Sequence, residues 1–234
     1  ETNLYMVMPF MPQGDLLSII YNGRIGGLPE QVARYIFRQI LSTLAYMKRW
    51  GVVHRDISSE NIMLDDEGRC LVIDMGMSLR VPRGMEGQRQ CMMAPQGACG
   101  KNAYMAPEIY ANMQDFDGYG IDLWSSAVVL FSMLTGTSKS AAANDDRILY
   151  TEPSFNDPVF RELTKSDGRG LERILQCWDM PMSRDAIDLL QSIFQVDPAA
   201  RPSLEEVMMH PWVQNPDVVS RDEMIEFMFL EQLR

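Results

Sequence analysis

The stretch His54-Arg55-Asp56-Ile57-Ser58-Ser59-Glu60-Asn61 is followed, thirteen residues after Asn61, by Asp74-Met75-Gly76. These residue types supply one candidate base and two candidate metal ligands on neighbouring loops. A positioned carboxylate can take the proton of a reacting hydroxyl. Carboxylate and amide oxygens are hard donors, suited to a small divalent cation that keeps some of its waters. A lone Asp most often caps a turn or a helix, so the signal lies in the joint spacing. Asp56, Asn61 and Asp74 are expected to converge at the mouth of one cleft.

The elements that must hold them can be read along the chain. Leu4 to Met8 suits a short buried strand, interrupted by Pro9 and by Pro12-Gln13-Gly14, a linker or turn. Asp15 to Tyr21 reads as a short helix, and Gly23, Gly26 and Gly27 as a simple turn. A long helix runs from Pro29 to about Arg49, with Val32, Ile36, Phe37, Ile40, Leu44 and Met47 on one face and Gly51 as its terminal cap. Ile62-Met63-Leu64 and Leu71-Val72-Ile73 flank Asp66-Glu67-Gly68 as a hairpin. Ile121 to Leu134 is an apolar helix ended by Gly136. Shorter helices follow near Asp157–Leu163, Leu171–Cys177 and Arg184–Phe194, and Ser203 with Glu206 forms a capping box for another. The core is expected to centre on the Ile121–Leu134 helix with the Pro29–Arg49 helix beside it.

Composition bounds the remainder. The 234 residues are 46% hydrophobic, enough for one sizeable core. No apolar run approaches the roughly 20 residues of a membrane helix, and the first residues do not read as a signal peptide. Cys70, Cys91, Cys99 and Cys177 are scattered and only two histidines exist, so a zinc site is not expected and reduced thiols in the cytoplasm are. A net charge of -11 argues against non-specific binding to nucleic acid or anionic membrane and leaves basic peptides as compatible partners. The 19 methionines are read as flexible core filling.

The two loops match H-R-D-L-x-x-x-N and D-F-G in order, and Ala106-Pro107-Glu108 follows at the usual distance. With these motifs the chain resembles a eukaryotic protein kinase domain of the Ser/Thr type over nearly its whole length. The resemblance implies a mainly α architecture of the α+β family: a kinase-like large lobe with a short hairpin and one N-terminal strand. It implies that residues 1–11 end a small lobe and form the hinge, and that 12–234 form the C-terminal lobe. The glycine-rich loop and the lysine that hold ATP phosphates have no counterpart, so residues 1–234 by themselves are expected to transfer phosphate weakly or not at all. By the same resemblance Asp56 is the catalytic base, Asn61 and Asp74 hold Mg2+, and ATP is the donor. Met8, Pro9, Met11, Asp15 and Met63 match the nucleotide-binding positions: gatekeeper, two backbone contacts to adenine, a ribose contact and the apolar floor. Asp122 in Asp122-Leu123-Trp124 matches the carboxylate that holds the catalytic loop. Glu108 matches the partner of a late arginine, here Arg201, and His210-Pro211-Trp212 the closing segment.

Two departures are informative. The position two residues after the catalytic Asp, usually Lys in this family, is Ser58, and the usual Thr before Tyr-x-Ala-Pro-Glu is Lys101. In the family those side chains meet beside the catalytic Asp. The pair is expected to be exchanged, with the ammonium on Lys101 and the hydroxyl on Ser58; the competing reading is two independent losses. Met75 replaces the Phe of D-F-G and is expected to pack in its place. Arg55 normally pairs a phosphorylated loop, yet Ser78 is the sole hydroxyl residue between Gly76 and Cys99, so no activating loop phosphorylation is expected. Glu86 could mimic a phosphate. Ser58-Ser59-Glu60-Asn61 is nearer the Ser/Thr form than the tyrosine form, and Glu60 and Asp15 resemble positions that meet basic substrate residues. The alternatives are a pseudokinase or docking module that binds partners without catalysis, and a kinase-like phosphotransferase for small molecules.

Overall fold

The computed structural model describes residues 3, 5, 7–21, 27–82, 84, 88–136 and 149–232. Leu4, Met6, Gly23, Gly26 and Glu86 lie outside them, so the expectations placed on those residues have no structural counterpart. Helices dominate, and the strands come in short antiparallel pairs.

In chain order the elements are α1 (Leu16–Tyr21), α2 (Glu30–Arg49), β1 (Val52–Val53), β2 (Ile62–Leu64), β3 (Cys70–Val72), β4 (Leu79–Arg80), β5 (Met92–Met93) and α3 (Pro107–Ala111). Then come β6 (Phe116–Asp117), α4 (Gly118–Thr135), α5 (Pro158–Leu163), α6 (Gly170–Cys177), α7 (Arg184–Ile193), α8 (Leu204–Met208), α9 (Pro211–Gln214) and α10 (Arg221–Gln232). The expected mainly α fold with one hairpin is the fold observed. The hairpin pairs β2 with β3 in the register Met63↔Leu71. Two further pairs, β1 with β4 and β5 with β6, join segments far apart in sequence. No described helix is long and apolar enough to cross a membrane.

The expected N-terminal strand is corrected. Tyr5, Val7 and Met8 belong to no strand, and their side chains are 82, 96 and 58% exposed. An apolar run becomes a buried strand only where a neighbouring strand takes its backbone hydrogen bonds and a packed face covers its side chains; the described residues provide neither there.

All 18 residues of α4 are buried, so it is the axis of the core, as its apolar run from Ala127 to Phe131 suits. Its start is fixed by Asp117, whose carboxylate accepts from Tyr119 N, and its end by Gly136 at φ 69°. Helix α2 lays Val32, Ile36, Phe37, Ile40 and Leu44 against the same core. Buried Arg34 ties α2 to the closing segment: its Nε donates to Trp212 O at 2.7 Å and its guanidinium lies 4.6 Å from the Trp212 ring centre. Helix α10 returns over this side, burying Met224 and Met228.

Candidate active site

The loop between β1 and β2 is held from below by one carboxylate. Asp122 of α4 accepts from His54 N at 2.7 Å and from Arg55 N at 2.8 Å. Burial pushes its carboxyl above the usual range, against the pull of those two amides. The bonds fix Arg55 at φ 70°, a left-handed conformation that side chains other than Gly rarely adopt. His54 joins this loop to the next one. Its Nδ1 accepts from Asp56 N at 3.3 Å, so its Nε2 carries the hydrogen donated to Ile73 O at 3.0 Å.

Asp56 and Asn61 meet. The Asn61 amide nitrogen donates to Asp56 O at 2.8 Å and to Asp56 Oδ2 at 2.9 Å. Both amide hydrogens are thus spent on Asp56, and the carbonyl oxygen of Asn61 is the atom left for a cation. The other carboxylate oxygen, Asp56 Oδ1, is buried and has no hydrogen-bond partner among the described residues. Asn61 O accepts from Ile73 N at 2.9 Å, which ties the catalytic-loop candidate to the residue preceding Asp74 in the chain. Asp74 sits at φ 63°, exposed, with Oδ1 accepting from Gly76 N at 3.2 Å at the head of the Met75–Met77 turn. Met75 is 50% exposed, and the described residues include no small-lobe helix for it to pack against.

The segment before α3 closes over Asp56. Gly100, at φ 90°, lies so near that a Cβ there would stand 2.8 Å from Arg55 O and 3.3 Å from Asp56 Oδ1. The following residue, Lys101, donates from Nζ to Ser58 Oγ at 2.7 Å, and its Nζ is 3.8 Å from Glu60 Oε2. Ser58 is fully buried. The two departures from the family pattern are therefore in direct contact. Arg55 turns its guanidinium to Gly97 O at 3.3 Å. Cys99 lines the same cleft, and burial pushes its thiol up despite nearby Arg55, which keeps it protonated.

The sequence model for the protein kinase domain matches residues 1–213. The chain belongs to the protein kinase family. Among curated relatives it is 29% identical to the probable serine/threonine-protein kinase KCC4 of Saccharomyces cerevisiae, over 97% of this chain and 19% of that protein. It is 34% identical to CBL-interacting serine/threonine-protein kinase 16 of Arabidopsis thaliana, over 91% of this chain and 41% of that one. It is 31% identical to the hormonally up-regulated neu tumor-associated kinase of Homo sapiens, over 91% and 26%. The chain thus spans well under half the length of these relatives, and its likeness is to protein Ser/Thr kinases, a family whose substrates are proteins.

Within this kinase-family fold, Glu108 and Arg201 form a two-pronged pair, NH1 to Oε1 at 2.8 Å and NH2 to Oε2 at 3.1 Å. Arg201 also donates to Gly120 O and Gln195 O and stacks 5.0 Å from the Trp124 ring centre. The nucleotide-side candidates are only partly gathered. Asp15 and Met63 are joined in an antiparallel bridge, so these two stand side by side. One Asp15 oxygen accepts from Ser18 N at 2.7 Å. Met11 O accepts from Gly14 N at 3.1 Å, and Met8 and Pro9 are exposed.

Sequence reasoning missed His54, Gly100 and Asp117. His54 was signalled as the head of its own motif. Asp117 also accepts from Cys91 N at 2.8 Å and clamps the segment between Asp74 and Glu108; its place before α4 signals only the helix cap, and the clamp spans 26 residues.

Proposed function

We propose that the chain is the catalytic part of an ATP-dependent kinase that phosphorylates Ser or Thr of protein substrates. The observation that supports it most is the pinning of Asp56 by Asn61 with Asp56 Oδ1 left unpartnered. A buried carboxylate oxygen without a partner is costly unless it awaits one, and a substrate hydroxyl is a fitting donor. In this reading Asp56 takes the hydroxyl proton as the oxygen attacks the γ-phosphorus and the bond to the nucleoside diphosphate breaks. Asn61, through its amide oxygen, and Asp74 would hold Mg2+, both being hard oxygen donors. Bound Mg2+ offsets charge on the phosphate oxygens. Asp15 and Met63 suit the ribose and the adenine floor, Met8 the gatekeeper position, and Pro9 and Met11 the adenine edge.

Lys101 fills the cationic role that the loop itself lacks. Its ammonium has three donors, of which Ser58 takes one, leaving charge to set against the transferring phosphoryl group. Ser58 orients that ammonium. Arg55 bonds Gly97 O, and the segment between Gly76 and Cys99 offers no central hydroxyl residue for phosphorylation. Basic acceptor segments suit the carboxylates Glu60 and Asp15.

Asp56→Asn in the full-length protein, assayed with radiolabelled ATP on a Ser-containing peptide, is expected to lower turnover by about 10²–10⁴-fold with the melting temperature held. Wild-type-like turnover in that variant would overturn the assignment.

A further inference from the structure

Lys101 stands between two groups with different tasks. Its hydrogen bond goes to Ser58 Oγ at 2.7 Å, while its second partner, Glu60 Oε2, is 3.8 Å away. The longer contact is Coulombic, not a hydrogen bond. Glu60 belongs to the turn Ser59–Asn61, four residues after Asp56, and its side chain is 35% exposed. Tyr104 faces the same carboxylate, with its hydroxyl pushed up to about 12 by burial, so it stays neutral and offsets no charge. Asp56 and Glu60 are both carboxylates of one loop, in a chain of net charge -11. Left alone, such a surface draws cationic segments and rewards a positive side chain next to the acceptor hydroxyl.

We infer that Lys101 also determines acceptor selectivity: it is an internal counter-ion for Glu60, with which a basic residue of the acceptor segment must compete. The inference rests on the kinase reading and deepens it. A cation on the peptide gains less from Glu60 because that carboxylate already has a cation 3.8 Å away. Both side chains are about one-third exposed, so the competition is modest and salt-sensitive. Selection for basic segments is thereby damped at Glu60, and Asp15 keeps whatever attraction it offers.

The experiment uses the full-length protein and two Ser peptides that differ only in carrying Arg or Gln beside the acceptor. The ratio of their kcat/KM values is measured for wild type, Lys101→Arg, Lys101→Met and Lys101→Met/Glu60→Gln. Lys101→Met is expected to lower kcat for both peptides alike and to raise the Arg/Gln ratio about 3- to 5-fold, the range of an exposed ion pair, the difference between the peptides lying in KM. Lys101→Arg should keep the wild-type ratio, and the double variant should return to it. Where turnover of Lys101→Met is too low, the Kd ratio of the same labelled peptides by fluorescence anisotropy reads the same quantity. A ratio unchanged in Lys101→Met overturns the inference while leaving the kinase reading intact; no phosphate transfer by wild type to either peptide overturns that reading itself.

Discussion

Lys101 and Glu108 stand on the same segment, one before α3 and one in its first turn, yet the ion pairs they make are opposites. Glu108 meets Arg201 with side chains 0 and 1% exposed, two short hydrogen bonds, and further acceptors for the guanidinium at Gly120 and Gln195. Lys101 meets Glu60 with side chains 36 and 35% exposed and no hydrogen bond between them. The first pair is enclosed and has one arrangement. The second can exchange partners, which is what a group that must meet an incoming phosphoryl oxygen or a peptide requires. Burial separates the joint that fixes the segment from the side chain that works at its tip.

The largest expected effect tests the enclosed end. Arg201→Ala leaves the Glu108 carboxylate buried and alone, and should cost about 3–5 kcal/mol, read by urea denaturation. Glu108→Ala should cost a similar amount, and the double variant less than the sum of the two. By contrast, Lys101→Ala should alter the denaturation midpoint little while lowering turnover. If Arg201→Ala proves as mild as Lys101→Ala, burial is not what distinguishes the two pairs.

A smaller effect is expected between them, at Gly100. Its φ of 90° is strained for any other residue, and a Cβ there would press on Arg55 O at 2.8 Å. Gly100→Ala should destabilise by about 1–3 kcal/mol and should also reduce turnover, because the atom displaced first is the backbone that carries Asp56. Thermal denaturation and a peptide assay on the same preparation check both parts. A stability loss with full turnover would mean that the segment can lift from Asp56 without harm, and that only its Glu108 end is set.

Much of this was legible in the chain, for reasons that differ by element. The two long helices announce themselves because packing acts at a period of 3.6 residues, and α4, buried on every side, is rich in apolar residues. The expected helix began at Ile121, and the first residues of α4, with Gly118 and Gly120 among them, carry no apolar period. The two glycines are needed for close approach: a Cβ on Gly120 would stand 2.9 Å from Asp117 Oδ2. Helix α10 was missed because only Met224 and Met228 of it are deeply buried, too sparse a stripe to read. The pairs β1–β4 and β5–β6 are two residues long and join segments distant in sequence, so no local pattern encodes them. The N-terminal strand failed for the converse reason, a local pattern without a partner. At the site, spacing along one loop placed Asp56 with Asn61. The contact of Lys101 with Ser58 spans 43 residues, and it was legible only because the two departures from one family pattern are complementary.

The smallest expected effect is at a third ionic joint of the same segment, and it sharpens the contrast. Arg89 reaches from the segment to Glu206 at 2.8 Å, both side chains more than half exposed. Glu206 also completes the capping box of α8, accepting from Ser203 N at 2.7 Å and from Ser203 Oγ at 2.8 Å. The Ser203 amide first, then Arg89 and the Ser203 hydroxyl, hold its carboxyl down at about 2, against an ordinary 4.5. A depressed carboxyl binds its proton less readily when folded than when unfolded. Its contribution is therefore whole above pH 4.5 and is lost as pH falls toward 2. Glu206→Gln should flatten the pH dependence of the melting temperature across that window and leave neutral-pH turnover unchanged. Arg89→Ala should flatten it only in part, and added salt should mimic Arg89→Ala because exposed charges are screened. A salt effect on Arg201→Ala as large as that on Arg89→Ala would show that solvent reaches both joints, and the division between a sealed anchor and open contacts would fail.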